Sequence, residues 1–523
     1  MNKWMNVLMI LMIAGMIPLA ILGLLYFATE PVDTHKDKTD IPSQIQQASP
    51  SPVLIGDVDG VQVSGPSSNE QTRVAISDDQ GDVLEDIGRR KAGVDWPGFL
   101  GATGDSRSTE TGILTNWNSR PLKQLWKLEL GTSYGIGSIA QGRYYQFDRV
   151  DDECILWCLD AERGKPLWKF IYKTQYEDLY GYNNGPRCSP LIDGNRVYIY
   201  GVAGHLYCLN ATSGKEIWHV DTNKQYGVIQ NFFGVGSTPV IDGDLLICMV
   251  GGSPAASQSI PPGQLDLVKA NGSAIVALNK YTGKQHYKIG NDLASYASPR
   301  LTTVNNRRWC LVFARGGLIG LEPQSGVIDF EYPWQASMLE SVNASTPVVV
   351  GDEVFISETY GPGSSLVKIA SGKSEVVWKD ELDTREKAMQ AHWNTPIYVD
   401  GFLYGCSGRH TRNAELRCIE WKTGKVQWSV PGLTRTSLTY IDGHFVCQGE
   451  YGHVFLIKAN PAKFEPVAGD IARAGSAGEY ELPFRTSFDI SYPCWAAPVV
   501  SHGLMYLRGD HSVICLELIA PEK

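Results

Sequence analysis

The sequence predicts an all-β protein, an eight-bladed β-propeller of four-stranded antiparallel blades preceded by one transmembrane helix. A unit of four short apolar runs recurs from about residue 131 to residue 520. Gly accounts for 54 of the 523 residues, with 24 Tyr and 14 Trp, which is typical of many short strands joined by tight turns. Charged residues make up 20% of the chain. This composition excludes a coiled coil and a chain that is disordered throughout.

The N-terminal element is a predicted membrane anchor. No charged residue occurs in residues 7–28, a run of about 22 residues, which is the length that a helix needs to cross a bilayer. A cleaved signal peptide has a shorter apolar region, and Tyr26 disrupts the small-residue pattern that precedes a cleavage site. Lys3 precedes the run, which favours a cytoplasmic N-terminus. We therefore predict that residues 1–29 are a cytoplasmic tip and a signal-anchor, and that the rest of this single-pass protein is periplasmic.

Residues 30–94 form the second element. No Phe, Trp or Tyr occurs between Pro31 and Asp95, and Ser, Gln, Asp and Pro dominate. Such a composition buries too little apolar surface to offset the loss of chain entropy on folding. We predict a disordered linker that holds the following domain away from the membrane.

The repeat is clearest at residues 188–220, where four apolar runs alternate with Gly-containing turns. Each run is typical of a strand, so one unit is a four-stranded antiparallel meander. A small residue opens each unit, usually before a Pro. These openers are Ser138, Ser189, Thr238, Ser298, Thr346, Thr395, Ser437 and Ala497. Eight openers, about 42–60 residues apart, predict eight blades.

An aromatic residue a few positions after a turn Gly closes many units. Its ring is expected to cover the gap to the next blade, which makes it a core residue without a catalytic role. The segment 122–130 carries one such ring but has no blade of its own, and the last unit, 494–520, has apolar runs for three strands. We predict that 122–130 supplies the fourth strand and closes the ring. The predicted docking aromatics are Trp126, Trp168, Trp218, Tyr287, Phe330, Trp378 and Trp428.

The pattern Leu-x-Cys-Leu-Asn-Ala-x-Ser-Gly-Lys-x-x-Trp at 206–218 resembles the tryptophan-docking repeats of quinoprotein-type (PQQ-like) eight-bladed propellers. This class includes PQQ-dependent alcohol dehydrogenases and the β-barrel assembly lipoprotein BamB. The segment 95–117 is similar to the lead-in of membrane-anchored or secreted bacterial members. The resemblance implies a PQQ-like propeller over residues 95–523. The sequence differs from BamB in having no lipid-attachment Cys after the apolar run.

The loops that lead into the openers are long and varied, and such loops on a rigid scaffold commonly carry binding residues. They are expected to converge on one mouth of the central channel, where aromatic rings and a few charges suit a planar, sugar-like or peptide ligand. The predicted ligand- or partner-binding residues are Tyr180, Tyr182, Asn183, Arg187, Asn231, Phe232, Glu340, Asn343, His392, Trp393, Asn394, Arg435, Asp489, Tyr492 and Trp495. The alternative interpretation is that these residues cap the channel and bond to each other.

The first functional hypothesis is a non-catalytic scaffold that binds a protein partner in the envelope, with no cofactor. The second is an alcohol or sugar dehydrogenase that uses PQQ and calcium, and the third is a glycan-binding module. In the second hypothesis a tryptophan supplies a stacking platform, oxygen ligands hold calcium, a carboxylate is the base, and a cation contacts the quinone. The residues assigned to these roles are Trp393 or Trp495, Glu340 with Asn343, Asp489 and Arg435.

The charge and the sequence motifs limit the kinds of partner and metal site that are expected. The net charge of −10 without a dense Lys/Arg run argues against a nucleic-acid partner. The sequence contains no His-Glu-x-x-His or paired Cys-x-x-Cys pattern, so no metal site is expected. His205, His444 and His453 lie beside turns and are expected at the surface.

Four of the eleven cysteines occupy the same third-strand position, which places them too far apart for disulfides; these are Cys158, Cys208, Cys418 and Cys515. Pairing of the cysteines nearer loops stays open.

Overall fold

The computed structural model describes residues 62–66, 83–474 and 479–521. Across these residues the chain forms eight sheets of four antiparallel strands, so the predicted eight-bladed propeller is confirmed. In each blade the first strand is innermost and the fourth is outermost. Two faces result: the turn face carries the turns between strands 1 and 2 and between strands 3 and 4. The loop face carries the remaining connections, including those between blades.

The first four blades follow one another along the chain. Blade 1 consists of Ser138–Ala140, Arg143–Val150, Glu153–Asp160 and Pro166–Lys173. Blade 2 consists of Leu191–Asp193, Arg196–Tyr200, His205–Asn210 and Glu216–Asp221. Blade 3 consists of Val240–Asp242, Leu245–Met249, Ile275–Asn279 and Gln285–Ile289. Blade 4 consists of Arg300–Val304, Arg307–Phe313, Gly317–Leu321 and Ile328–Pro333.

The other four blades complete the ring. Blade 5 consists of Val348–Val350, Glu353–Glu358, Gly363–Ala370 and Lys373–Lys379. Blade 6 consists of Ile397–Val399, Phe402–Ser407, Glu415–Glu420 and Val426–Pro431. Blade 7 consists of Thr436–Ile441, His444–Gly449, Val454–Lys458 and Pro466–Gly469. Blade 8 consists of Val499–Ser501, Leu504–Arg508, Ser512–Glu517 and, from the start of the domain, Lys123–Glu129.

Several short elements lie on the loop face. A hairpin of Ala472–Ala474 and Glu479–Glu481 follows blade 7. One α-helix, Thr222–Tyr226, and three 3₁₀ turns occur among the described residues; the turns are Ala255–Ser257, Leu265–Leu267 and Thr411–Asn413.

The ring closes where the sequence predicts. Lys123–Glu129 pairs antiparallel with Ser512–Glu517 as the outermost strand of blade 8. The ring of Trp126 meets Tyr144 of blade 1 at 5.8 Å and Tyr506 of blade 8 at 5.9 Å. Aromatic surface from both ends of the repeat is therefore buried across the seam, which stabilises the closed ring.

The aromatic rings on the outer strands dock on the next blade. Trp168 of blade 1 donates its indole N–H to the carbonyl of Ala211 in blade 2 (3.2 Å), and its ring covers Gly214. Gly214 has φ +70°, and a Cβ there would lie 2.4 Å from the ring, so the turn requires glycine. Equivalent bonds to a neighbouring carbonyl are made by Trp126, Trp218, Tyr287, Trp378 and Trp428. Phe330, which has no donor, is buried against Trp309 instead.

The openers surround the channel. The backbone N–H of Ser189 donates to the hydroxyl of Thr238 in the next blade, and the N–H of Thr238 donates to Ser298 in turn. Thr346 donates to Thr395 in the same way. A small hydroxyl residue at this position therefore joins adjacent blades at the inner wall of the channel.

Residues 95–110, here called the plug segment, line the turn-face end of the channel. Trp96 exchanges two backbone hydrogen bonds with Ile139 of blade 1 (2.9 and 2.7 Å). Tyr440 of blade 7 bonds the segment in the same manner, at Ser106 and Ser108. Further bonds come from the inner strands or first turns of blades 2, 4, 6 and 8, at Ile192, Arg300, Tyr398, His502 and Gly503. The segment therefore follows the free edges of the inner strands around the ring.

Two stretches of the predicted linker also lie on the propeller. Gln62–Ser64 adds a parallel strand outside Pro166–Lys173 of blade 1. Leu84 is buried, and Arg90 bonds Glu517 in blade 8 (2.6 Å), so residues 83–94 are ordered. The structure differs here from the prediction because polar and charged side chains also form specific bonds to the blades. The remainder of 30–94 lies outside the described residues.

The predicted signal-anchor, residues 7–28, also lies outside the described residues. Within the part of the chain that is described, no helix has the length and apolar character to cross a bilayer. All eleven cysteines fall in that part, and each is buried and free of disulfide bonds.

Candidate functional site

The loop face brings many of the predicted site residues together at the mouth of the channel. Its aromatic residues form two groups. The phenylalanine–tyrosine group comes from the connections after blades 1, 2 and 3 and consists of Tyr180, Tyr182, Phe232, Phe233 and Tyr296. The tryptophan–arginine group comes from the seam and the connections after blades 5, 6 and 7 and consists of Tyr134, His392, Trp393, Arg435 and Trp495.

The phenylalanine–tyrosine group is largely covered. Tyr180 lies 5.9 Å from Phe232 and 5.8 Å from Phe233, measured between ring centroids. The connection between strands 2 and 3 of blade 3, residues 250–274, lies over it, and its Leu265 is buried against Phe232. The Gly263 N–H bonds the Gln230 carbonyl (3.0 Å) and holds this connection in place.

The rings of the tryptophan–arginine group are in continuous contact. The centroids of Trp393 and Trp495 are 4.5 Å apart, and those of Tyr134 and Trp495 are also 4.5 Å apart, with the planes tilted by 33° and 46°. The Arg435 guanidinium lies 4.8 Å from the Trp393 ring and 5.2 Å from the Trp495 ring. This spacing is typical of cation–π contacts, which stabilise a desolvated guanidinium.

Two buried ion pairs form the floor beneath these rings. Arg435 donates to Glu450 from Nη2 (2.5 Å) and from Nε (2.8 Å), and both side chains are buried. Arg187 donates to Asp178 (2.6 Å) and to the carbonyls of Gly185 and Asn183. The charge of each guanidinium is therefore neutralised by a carboxylate of this protein. Such pairs hold loops together because separating the two partners would leave a buried charge uncompensated.

The predicted asparagines hold the loops. Asn183 accepts the Gly185 N–H, and Asn231 donates to the Ala294 carbonyl. Asn343 is fully buried, and its amide donates to the carbonyls of Ala314, Arg315 and Trp334. Asn394 donates to the Thr436 carbonyl (2.9 Å). All four bond main-chain groups, so they determine loop conformation.

The remaining predicted residues do not share one place. Asp489 lies at the outer edge of blade 8, where its carboxylate contacts the Lys127 ammonium (2.7 Å) on the closing strand. Tyr492 stacks on Tyr451 at 5.0 Å and also meets Trp495. Burial, with a smaller contribution from the Glu340 carboxylate, raises the pKa of Tyr180, which places Glu340 beside the phenylalanine–tyrosine group.

Sequence reasoning missed Glu358 and Arg409. Glu358 is the last residue of strand 2 in blade 5 and is 0% exposed. It accepts from the Ser341 hydroxyl (3.2 Å) and the Tyr360 N–H (2.8 Å), and burial raises its pKa to about 8. The Arg409 guanidinium lies 4.5 Å from the Tyr360 ring. A carboxylate at a strand end is normally exposed, so the sequence carried no signal for this burial.

Several of the residues that were assigned to PQQ and calcium are bonded within the chain or lie apart from one another. The Arg435 guanidinium lies over the rings of both tryptophans that were assigned as the platform, 4.8 Å from the Trp393 centroid and 5.2 Å from the Trp495 centroid. The Asn343 amide nitrogen donates to three carbonyls, whereas its Oδ1, the atom that would bind calcium, is buried and accepts no hydrogen bond from the described residues. Asp489 lies on the outer edge of blade 8. Among residues 62–66, 83–474 and 479–521, no group of three or more His, Cys, Asp or Glu side chains is placed to hold a metal ion.

Exposed apolar side chains stand on several connections of the loop face. Leu179 follows blade 1, Leu267 belongs to the covering connection of blade 3, Leu382 follows blade 5, and Phe484 follows blade 7. Their exposed fractions are 42%, 64%, 64% and 84%. These four side chains are here called the apolar tips of the loop face.

Comparison with known proteins identifies the repeat. The sequence profile of a family described as outer membrane protein assembly factor BamB matches residues 112–265 and 158–430, which together span more than half of the chain. A search of curated protein sequences found no significant relative.

Two solved structures are similar to this chain at low sequence identity. BamB from Moraxella catarrhalis is 13% identical, with 76% of this chain and 100% of that chain covered and a TM-score of 0.49. Quinohemoprotein alcohol dehydrogenase from Comamonas testosteroni is 12% identical, with 82% of each chain covered and a TM-score of 0.53. At such identities the likeness shows architecture alone.

Proposed function

Because the chain belongs to the family of the outer membrane protein assembly factor BamB, we propose that it is a non-catalytic propeller that binds a protein partner through its loop face. In this proposal residues 7–28 anchor the chain in the membrane and the propeller lies in the periplasm. The partner is a protein of the envelope.

The apolar tips of the loop face carry the proposal. Leu267 and Phe484 expose most of their side chains to solvent, although each stands on a connection whose backbone is held by the propeller. Burial of such side chains against a partner is favourable by about 25 cal/mol for each Å² removed from water. A surface that presents them on fixed loops loses little entropy when it binds.

The floor of the mouth supports a binding role in a second way. Arg187 and Arg435 each bond a buried carboxylate of the chain itself. A catalytic acid or base must instead reach the reacting atoms directly. The two ion pairs are therefore suited to hold the loops that present the partner-binding surface.

Site-specific photo-crosslinking of the full chain in native membranes tests the proposal. A photoreactive amino acid replaces Leu267 or Phe484 in two variants and Val377 in a control, since Val377 is also exposed but lies on the outer edge of blade 5. We expect the same discrete protein adduct from both loop-face variants and not from the control.

Two results would overturn the proposal. The first is crosslinking from Val377 that equals crosslinking from the loop face. The second is alcohol- or sugar-dependent dye reduction by the full chain after addition of PQQ and calcium, which would establish the dehydrogenase alternative.

A further inference from the structure

Two histidines face each other on the outer half of blade 2. His205 begins strand 3 and His219 lies in strand 4. His219 pairs with Tyr207, two residues after His205, so the two imidazoles are diagonal neighbours on one face of the sheet. The Nδ1 atom of His205 lies 3.1 Å from the Nε2 atom of His219. Neither residue belongs to the mouth of the channel.

We propose that His205 and His219 together bind one divalent transition metal ion of the Zn²⁺, Cu²⁺ and Ni²⁺ class. Imidazole nitrogens are ligands that these ions prefer. Two nitrogens bound to one Zn²⁺ at about 2.0–2.1 Å and a tetrahedral angle lie about 3.3 Å apart. The observed separation of 3.1 Å is close to this value. When the ion binds, the proton between the two nitrogens moves to the other ring nitrogen of the histidine that carried it, so that both neutral imidazoles present a lone pair to the metal.

The rings are held in this arrangement before a metal arrives. His219 stacks on Tyr207 with 4.2 Å between centroids and 14° between planes. His205 meets the edge of Tyr172 in blade 1 at 5.7 Å. The His205 and His219 ring centroids are 5.2 Å apart, with 35° between the ring planes. A site whose ligands are already positioned binds metal with little loss of side-chain entropy.

The site leaves coordination positions open. Asp221 pairs with His205 on the same face of blade 2, but one of its carboxylate oxygens accepts the Lys224 N–H as a helix cap. Because no group of three ligands is present within the described ranges, water or an external ligand completes the coordination. Both histidines are only partly buried, so solvent and ions reach the pair.

Titration of the full chain, purified in detergent, tests the inference. We expect isothermal titration with ZnCl₂ to give one site per chain, and His205→Gln and His219→Gln to weaken binding at least about tenfold each. The matched control is His286→Gln, because His286 is exposed on the outer strand of blade 3 and should not change the affinity. The electron paramagnetic resonance spectrum of the Cu²⁺-loaded chain should show two coordinated nitrogens.

Three outcomes would overturn the inference. These are the absence of a stoichiometric site, an unchanged affinity in the His205→Gln/His219→Gln double variant, and a Cu²⁺ spectrum without two nitrogen ligands. The spectrum is recorded on the unmodified chain, so the absence of two nitrogen ligands overturns the inference even if a variant fails to fold.

Discussion

The two ends of the central channel are closed by different parts of the chain. At the turn face the plug segment bonds the inner strands largely through its main chain, as between Trp96 and Ile139. At the loop face the floor consists of side chains, with Arg435 held between Trp393, Trp495 and Glu450. Main-chain hydrogen bonds can be made by almost any sequence. An ion pair among aromatic rings forms only when each position carries the required side chain. The comparison indicates that the turn face supports the ring, and in the proposed function the loop face supplies the specificity.

Removal of the plug anchor should have the largest effect on stability. Trp96 is 1% exposed, so Trp96→Ala should lower the free energy of unfolding by about 4 kcal/mol because it leaves a large cavity. Chemical denaturation measures this change. Thr111→Ala, at an exposed position just beyond the plug segment, is the control and should change stability by less than about 0.5 kcal/mol. Equal effects of the two substitutions would contradict a supporting role for the plug segment.

Loss of the Arg435 cation should cause the second-largest loss of stability. Arg435→Leu leaves the Glu450 carboxylate buried without its partner and should cost about 3 kcal/mol. The Arg435→Leu/Glu450→Leu double variant should recover most of this loss, because it removes the buried charge. Arg385→Leu changes an exposed arginine of the same face and is the control. A double variant no more stable than the single one would mean that the stack, rather than the charge, matters most.

The pH dependence of stability should report on Glu358. Burial raises its pKa to about 8, above the ordinary value of 4.5, so the folded state binds a proton that the unfolded state releases. Stability contributed by this proton is complete below about pH 4.5 and is lost as the pH rises through 8. Between pH 6 and 7.5 the loss should be about 2 kcal/mol.

Thermal unfolding at several pH values measures the Glu358 effect. Glu358→Gln should flatten the decline across this pH window, whereas Glu381→Gln, at an exposed position on the loop face, should leave it unchanged. An identical decline in wild type and Glu358→Gln would assign the proton to another group.

The smallest effect is expected at the apolar tips. Phe484 is 84% exposed, so Phe484→Ala should change the free energy of unfolding by less than about 0.5 kcal/mol. Phe232 is a buried phenylalanine of the same face, so Phe232→Ala should lower the free energy of unfolding by about 3 kcal/mol. Denaturation of both variants makes the comparison. A large loss at Phe484 would show that this side chain supports the fold and is not held free for a partner.

Local features of the fold were predictable because neighbouring residues determine them. The Gly214 turn and the Trp168 ring that covers it follow from a short motif, and each motif recurs. The strand near Trp126 was predictable because the last unit lacks a fourth strand and an open ring would expose apolar surface. The structure confirms both.

The arrangement of side chains at the mouth of the channel was less predictable from the sequence. The loops could be assigned to one face from their order, and the aromatic residues do meet there. The partners of Arg187 and Arg435 could not be identified, because ion pairs between separate loops leave no period in the sequence. Asp489 was grouped with the mouth although it lies on the outer edge, since position along a long loop does not reveal the radius at which a residue lies.

The amino-acid sequence alone determined the number of blades, their four-stranded form and the strand that closes the ring, because a hydrophobic period and turn chemistry act over a few residues. Only the tertiary structure decided that residues 95–110 line the channel, that Glu358 is buried and that His205 faces His219. Those contacts join blades, strands or loops whose meeting depends on the curvature of the closed ring and the register between strands, and no local pattern specifies either.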